Sequence, residues 1–183
     1  MKKLEIETPR LIIKPLETED YQNWLTQHEN RLPSQYKYDN GKSDMSECTE
    51  QWFIAMVENH QQSALSDRDY IFGVFHKKDG DHLGSVDIST LIRYDFQWGR
   101  IGYTIHNQFW RQGYGKESLN GALELAFRQL NFHRIEAHIN VDNIASINLA
   151  ESVGMKYECT RKGFIYEFGE WTDNLVYYIN NGG

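Results

Sequence analysis

The stretch Arg111-Gln112-Gly113-Tyr114-Gly115-Lys116 decides the reading of this chain, because it stands at the mouth of its most regular helix. Behind it Leu119, Ala122, Leu123, Ala126, Phe127 and Leu130 recur at helical spacing, one apolar stripe over Gly115 to Leu130. The first four N–H groups of a helix have no intrahelical partner and carry the positive end of its dipole. Glycines just upstream let the backbone approach an anion held by those groups. Gly113 and Gly115 occupy that place and Arg111 and Lys116 add charge, so a pyrophosphate is the natural guest. A tight strand-to-helix turn without a ligand is the competing explanation. Two commoner phosphate loops are excluded. A nucleotide P-loop requires glycine where Trp110 stands, and a dinucleotide fingerprint requires one where Ser118 stands.

The flanking segments predict a mixed fold. Arg10 to Leu16 is a short apolar run broken by Pro15, as in an edge strand. Thr18 is expected to cap a helix with Tyr21, Trp24, Leu25, His28 and Leu32 on one face, stopped at Leu32-Pro33. Ser46 to about Ser63 is expected to form a second helix that buries Trp52, Phe53, Met56 and Val57. From Asp69 the period becomes two, giving strands over Tyr70 to His76, Leu83 to Leu91 and Phe96 to His106. After the long helix come a strand from Arg134 to Val141 and a short helix from Asn143 to Val153, closed by Gly154. Tyr157 to Phe168 and Trp171 to Ile179 form a terminal hairpin. This order implies a mixed α/β (α+β) domain, with helices on the faces of one sheet rather than a doubly wound parallel fold. The single strand-helix-strand crossover, Phe96 to Val141, sets two parallel strands side by side.

Composition narrows the function classes. The 183 residues fit one domain spanning the chain, and 40% hydrophobic with 14% aromatic content supplies its core. No apolar run is long enough to cross a membrane, and the basic start Met1-Lys2-Lys3 lacks the apolar stretch of a secretory signal. A formal charge of −7, with both signs interspersed, argues against nucleic acid and mildly favours a cationic substrate such as an amine. A simple role in solubility fits that charge equally well. Cys48 and Cys159 have neither pairing nor metal-ligand spacing, so a reduced cytoplasmic protein without a metal is expected.

Arg111 through Lys116, placed between a strand and a long amphipathic helix, resembles the acetyl-CoA motif of the GNAT superfamily of N-acetyltransferases. Glu7-Thr8-Pro9-Arg10-Leu11, Phe132 to Ala137, Asp142-Asn143-x-x-Ser146, Gly154-Met155 and Trp171-Thr172-Asp173 follow in the order of that family. Together they are similar to its branch of ribosomal-protein N-terminal (alanine/serine) acetyltransferases. The resemblance implies a mostly antiparallel seven-stranded sheet flanked by about four helices, with a splayed parallel strand pair. It also implies direct attack of a primary amine on acetyl-CoA in a ternary complex.

The implied cofactor-binding residues are Thr104, Ile105 and His106 at the splay, and Arg111, Gln112, Gly113, Tyr114, Gly115 and Lys116 at the phosphates. Asn143 would orient the pantetheine arm, and a backbone N–H near Ile105 would face the thioester oxygen. Many members place a tyrosine proton donor where this chain has Ala150, and the similar branch implies Ser146 instead. His138, on one strand face with Glu136 and Asn140, is the candidate base. A carboxylate found in some members before the last turn falls on Ile165, with Glu167 and Glu170 nearby. Trp24, Trp52, Phe53, Trp98 and Trp110 either line an acceptor cleft or, for those of the first two helices, pack on the sheet. An α-amine, with a pKa of about 7.7–8.0 against about 10.4 for lysine, is the acceptor easiest to free with a weak base. The open alternatives are a small amine (an amino acid, polyamine or antibiotic) and a non-catalytic acyl-CoA-binding module. Aromatic edge strands are compatible with a homodimer.

Overall fold

The structure, a computed structural model, describes residues 4–182. Eight strands form one mixed sheet: β1 (Ile6–Glu7), β2 (Leu11–Pro15), β3 (Asp69–His76), β4 (His82–Ile92), β5 (Trp98–Ile105), β6 (Arg134–Asn140), β7 (Lys156–Glu167) and β8 (Glu170–Asn180). Their spatial order is β1-β2-β3-β4-β5-β6-β8-β7, and β5–β6 is the parallel pair. Four α-helices accompany the sheet: α1 (Tyr21–Glu29), α2 (Glu50–Leu65), α3 (Tyr114–Arg128) and α4 (Ile144–Ser152). The mixed architecture expected from the element order is observed. The strand beyond the expected seven is the two-residue β1.

Helix starts differ from the sequence reading for local reasons. A short 3-10 turn at Thr18–Asp20 precedes α1, and the Asp20 carboxylate accepts the Glu17 N–H at 2.9 Å. Thr49 rather than Ser46 opens α2, because its hydroxyl accepts the Trp52 N–H at 3.2 Å.

The core has two parts. The stripe of α3 buries Leu119, Ala122, Leu123 and Ala126 with Leu11, Ile13, Val86 and Ile101 of the sheet. A second cluster joins Trp24 of α1 and Phe53 and Val57 of α2 to Leu16 and Phe75. Trp24 and Phe53 are therefore packing residues, while Trp52 is 45% exposed and lies against Trp24.

The parallel pair is short. β5 meets β6 over Trp98–Arg100 and Arg134–Glu136. Beyond that, β5 stays paired to β4 as far as Ile105, and β6 to β8 as far as Asn140. The two strands thus splay, held apart from outside. Gly84 on β4 fixes the far end of β5. A Cβ there would overlap the Thr104 carbonyl oxygen and stand 2.9 Å from the Ile105 Cα, and backbone cannot move aside as a side chain can. Gly84→Ala is expected to destabilise the fold by about 1–3 kcal/mol, the usual cost of overpacking. The readout is a lower urea midpoint; an unchanged midpoint would contradict this close approach.

Candidate active site

A cleft of about 850 Å³ opens where β5 and β6 part, within the size range of small-ligand sites. Thr104 and Ile105 from β5, Gly113 to Lys116 at the start of α3, and Asn143 and Ser146 at the start of α4 converge on it. Arg111 lines it as well. A smaller cavity of about 180 Å³ lies in the gap between the strands, lined by Gly102, Ala137, His138 and Asn140. Tyr103, Asn143 and Ser146 border both, so the gap and the cleft adjoin.

At the phosphate end the backbone is bent into the left-handed region twice, at Arg111 (φ 61°) and Gly113 (φ 81°). Such a conformation costs a non-glycine residue about 1–2 kcal/mol, so Arg111 is held there by its surroundings. Gly113 caps α3 without any side-chain cap, leaving the first-turn N–H groups directed outward for an acceptor. A brace stands behind the turn. Arg10 donates from Nε to Glu117 at 2.7 Å and from Nη1 to the Gln112 carbonyl at 2.9 Å, and Thr8 donates to Glu117 at 2.6 Å. Burial alone would raise the Glu117 carboxyl, but the bonds from Thr8 and Arg10 hold it below its ordinary value. Gln112 thereby serves the brace through its carbonyl and lies outside the cleft lining.

At the splay, alternation decides which groups face the gap. The His106 N–H donates to the Leu83 carbonyl of β4 at 2.8 Å. The Ile105 groups point the other way, and its carbonyl accepts the Trp110 indole N–H at 2.6 Å. The Ile105 N–H therefore faces the gap. His106 does not join the cleft: its ring is 2% exposed and sits 3.1 Å from His82.

The first turn of α4 gathers the polar groups. Asn143 caps the helix by accepting the Ser146 N–H at 3.3 Å. The Tyr103 hydroxyl donates to the Ser146 carbonyl at 3.2 Å, and burial pushes its pKa up, so it remains protonated. Nothing in the β5 pattern marks Tyr103; only folding brings it to α4. Ala150 is fully buried in the core, which explains why no proton donor projects from that position.

His138 lies beside Glu136 as the period of β6 predicts, with Nε2 2.9 Å from the carboxylate. Glu136 also accepts from Arg134 at 2.9 Å. Burial would raise Glu136, but the bonds from His138 and Arg134 outweigh it and keep the carboxylate ionised. His138 thus donates from Nε2, and its Nδ1 is buried without a hydrogen-bond partner among the described residues. Near the last turn, Glu167 rather than Ile165 supplies the inward carboxylate, hydrogen-bonded to Asn140 and, at 2.6 Å, to Thr172.

The outer wall comes from residues 31–41, a segment without periodic pattern. The Asn107 amide binds the Leu32 N–H at 2.7 Å, the Leu32 carbonyl at 2.8 Å and Asp39 at 3.0 Å. Asp39 also accepts from Gln35 and Gly41 N–H groups and from Arg31. This fold sets Tyr36 against Trp110 and lets Tyr38 donate to Asp142 across the cleft mouth. Of the five aromatic residues considered from sequence, Trp110 lines the cleft.

The acetyltransferase (GNAT) domain family matches residues 10–156, most of the chain. The chain belongs to the GNAT acetyltransferase family. The probable N-acetyltransferase YjcK of Bacillus subtilis is 29% identical over 125 residues, covering 68% of this chain and 69% of that protein. The [ribosomal protein uS5]-alanine N-acetyltransferase of Escherichia coli is 26% identical over 119 residues, 65% of this chain and 59% of that protein. The solved structure of Mycobacterium smegmatis RimJ in complex with CoA-disulfide superposes with a TM-score of 0.76 at 20% identity, covering 93% of this chain and 81% of that one. This protein is therefore an acetyl-CoA-dependent N-acetyltransferase of the GNAT type. Its residues fit that cosubstrate: a left-handed glycine opens an uncapped helix, and a gap between strands leads away from it.

Replacing Gly113 with alanine puts a Cβ into a strained left-handed residue, 3.3 Å from Arg10 Nη2. Relaxation of the turn would misalign the N–H groups, so KM for acetyl-CoA is expected to rise about tenfold, equivalent to about 1.4 kcal/mol. Steady-state kinetics read this directly, with kcat nearly unchanged; an unaltered KM would contradict the role of the turn.

Proposed function

We propose that this protein acetylates the N-terminal α-amino group of a protein or peptide. The observation that carries the reading is His138 at the border of the gap, held from behind by Glu136. An imidazole oriented by a carboxylate is a modest base, suited to an amine whose ammonium pKa is about 8 rather than above 10. The buried carboxylate of the outer wall, Asp39, is engaged by Arg31, Asn107 and two backbone N–H groups, and so is poorly placed to deprotonate a lysine. The similarity to an enzyme named [ribosomal protein uS5]-alanine N-acetyltransferase supports a protein acceptor.

In this reading the first-turn N–H groups of Gly113 to Lys116, with Arg111, bind the pyrophosphate. Thr104, Ile105 and Asn143 position the pantetheine arm, and the Ile105 N–H stabilises the oxyanion as the amine attacks. His138, at the border of the gap, takes the amine proton through water. Ser146 gives a proton to the departing sulfur, and Tyr103 keeps the first turn of α4 in register for it.

Mass spectrometry after incubation with acetyl-CoA tests the acceptor. Peptides beginning with alanine or serine are expected to gain one acetyl group on the terminal nitrogen. Modification confined to lysine side chains, or to polyamines and free amino acids, would establish the small-amine or lysine alternative instead. Ser146→Ala is expected to lower kcat roughly 10²-fold with little change in KM, and His138→Gln to lower kcat/KM at neutral pH. Unchanged rates would remove the corresponding residue from the mechanism.

A further inference from the structure

Three histidines distant in sequence meet beside the far end of β5. His28 comes from α1, His82 opens β4, and His106 directly follows β5. One ring nitrogen from each lies within 4.8 Å of the other two. His82 Nδ1 and His106 Nε2 are 3.1 Å apart, close to the edge of about 3.3 Å between nitrogens of a tetrahedral site with Zn–N bonds near 2.0–2.1 Å.

The tautomers suit a ligand role. His28 Nδ1 lies 2.8 Å from the Trp24 carbonyl, so it donates there and leaves the Nε2 lone pair free. A ring nitrogen fixed by a backbone carbonyl is the usual support of a metal-bound histidine. The opposite nitrogens of the other two rings, His82 Nε2 and His106 Nδ1, are buried with no hydrogen-bond partner among the described residues. As a purely structural cluster the trio is poorly satisfied, since buried polar atoms normally find partners. Burial disfavours the protonated form of all three rings. Neutral imidazole is the ligand form.

We propose that His28, His82 and His106 bind a divalent transition metal, with Zn²⁺ as the favoured ion and a fourth position left for water. An all-imidazole donor set selects Zn²⁺, Co²⁺, Ni²⁺ or Cu²⁺ over the oxygen-seeking Mg²⁺ and Ca²⁺. The nearby cation, Arg31, is paired with Asp39 at 3.2 Å, which offsets its repulsion of the ion. The site joins α1 to the ends of β4 and β5, immediately next to Ile105. The metal therefore acts on architecture, by fixing the strand end that faces the gap. Sequence spacing predicted no metal because each ligand comes from a different element.

The test uses the full chain, stripped with a chelator and then dialysed against buffered Zn²⁺. Bound metal is measured by elemental mass spectrometry and stability by thermal melting. One Zn²⁺ per chain and a higher Tm are expected, and His28→Gln should weaken binding by about tenfold or more. His28 is the variant of choice because it is the least buried of the three. Co²⁺ binding to the wild-type chain gives a readout independent of any variant: intense visible bands of a four-coordinate nitrogen site are expected. Failure to retain Zn²⁺, equal affinity in His28→Gln, or Co²⁺ bands of a six-coordinate oxygen site would each overturn the proposal.

Discussion

Backbone hydrogen bonding between β5 and β6 stops after three residue pairs, and the active site exists because of that interruption. Each strand continues on its outer neighbour, so the gap cannot close by local rearrangement. Backbone N–H and C=O groups of alternate residues along Ile101 to Ile105 and Ala137 to Asn140 are turned away from those outer neighbours and toward the gap. Polar backbone groups require partners, and an elongated molecule carrying amides satisfies them as an additional strand would. The Ile105 carbonyl is already met by the Trp110 indole, which leaves its N–H as the donor that the proposed mechanism assigns to the oxyanion.

The rest of the cleft is arranged around that gap. The crossover between the parallel strands contains α3, and its uncapped N-terminus lies at the open end of the splay. The brace Thr8–Glu117–Arg10 ties the connection between β1 and β2 to the same turn, so the glycine turn rests on that connection as well as on its own helix. Alternation along β5 then separates two chemistries. Ile105 faces the gap, while His106 turns into the histidine cluster with His28 and His82. Any order gained at that cluster acts on the residue beside the reacting centre.

Local patterns were readable to the extent that their partners are close in sequence. The stripe of α3 and the Glu136–His138 pair two residues apart follow directly from periodicity. The start of α2 was less legible, since Ser46 and Thr49 are both competent caps and only the hydroxyl of Thr49 reaches the helix. His106 was misplaced for a similar reason. At the end of a strand, a shift of one residue reverses the side a group faces. Residues 31–41 carried no signal at all, because their shape depends on the distant Asn107 amide. Tyr103 and the three-histidine cluster are likewise products of tertiary folding.

The most direct test of the account is the crystal structure of the chain with CoA bound. The pyrophosphate is predicted to rest on the N–H groups of Gly113 to Lys116, and the pantetheine arm to pass between β5 and β6 with its thiol beside Ser146. A cofactor bound outside the splay, or a β5–β6 ladder that closes over Ile101 to Ile105, would contradict it.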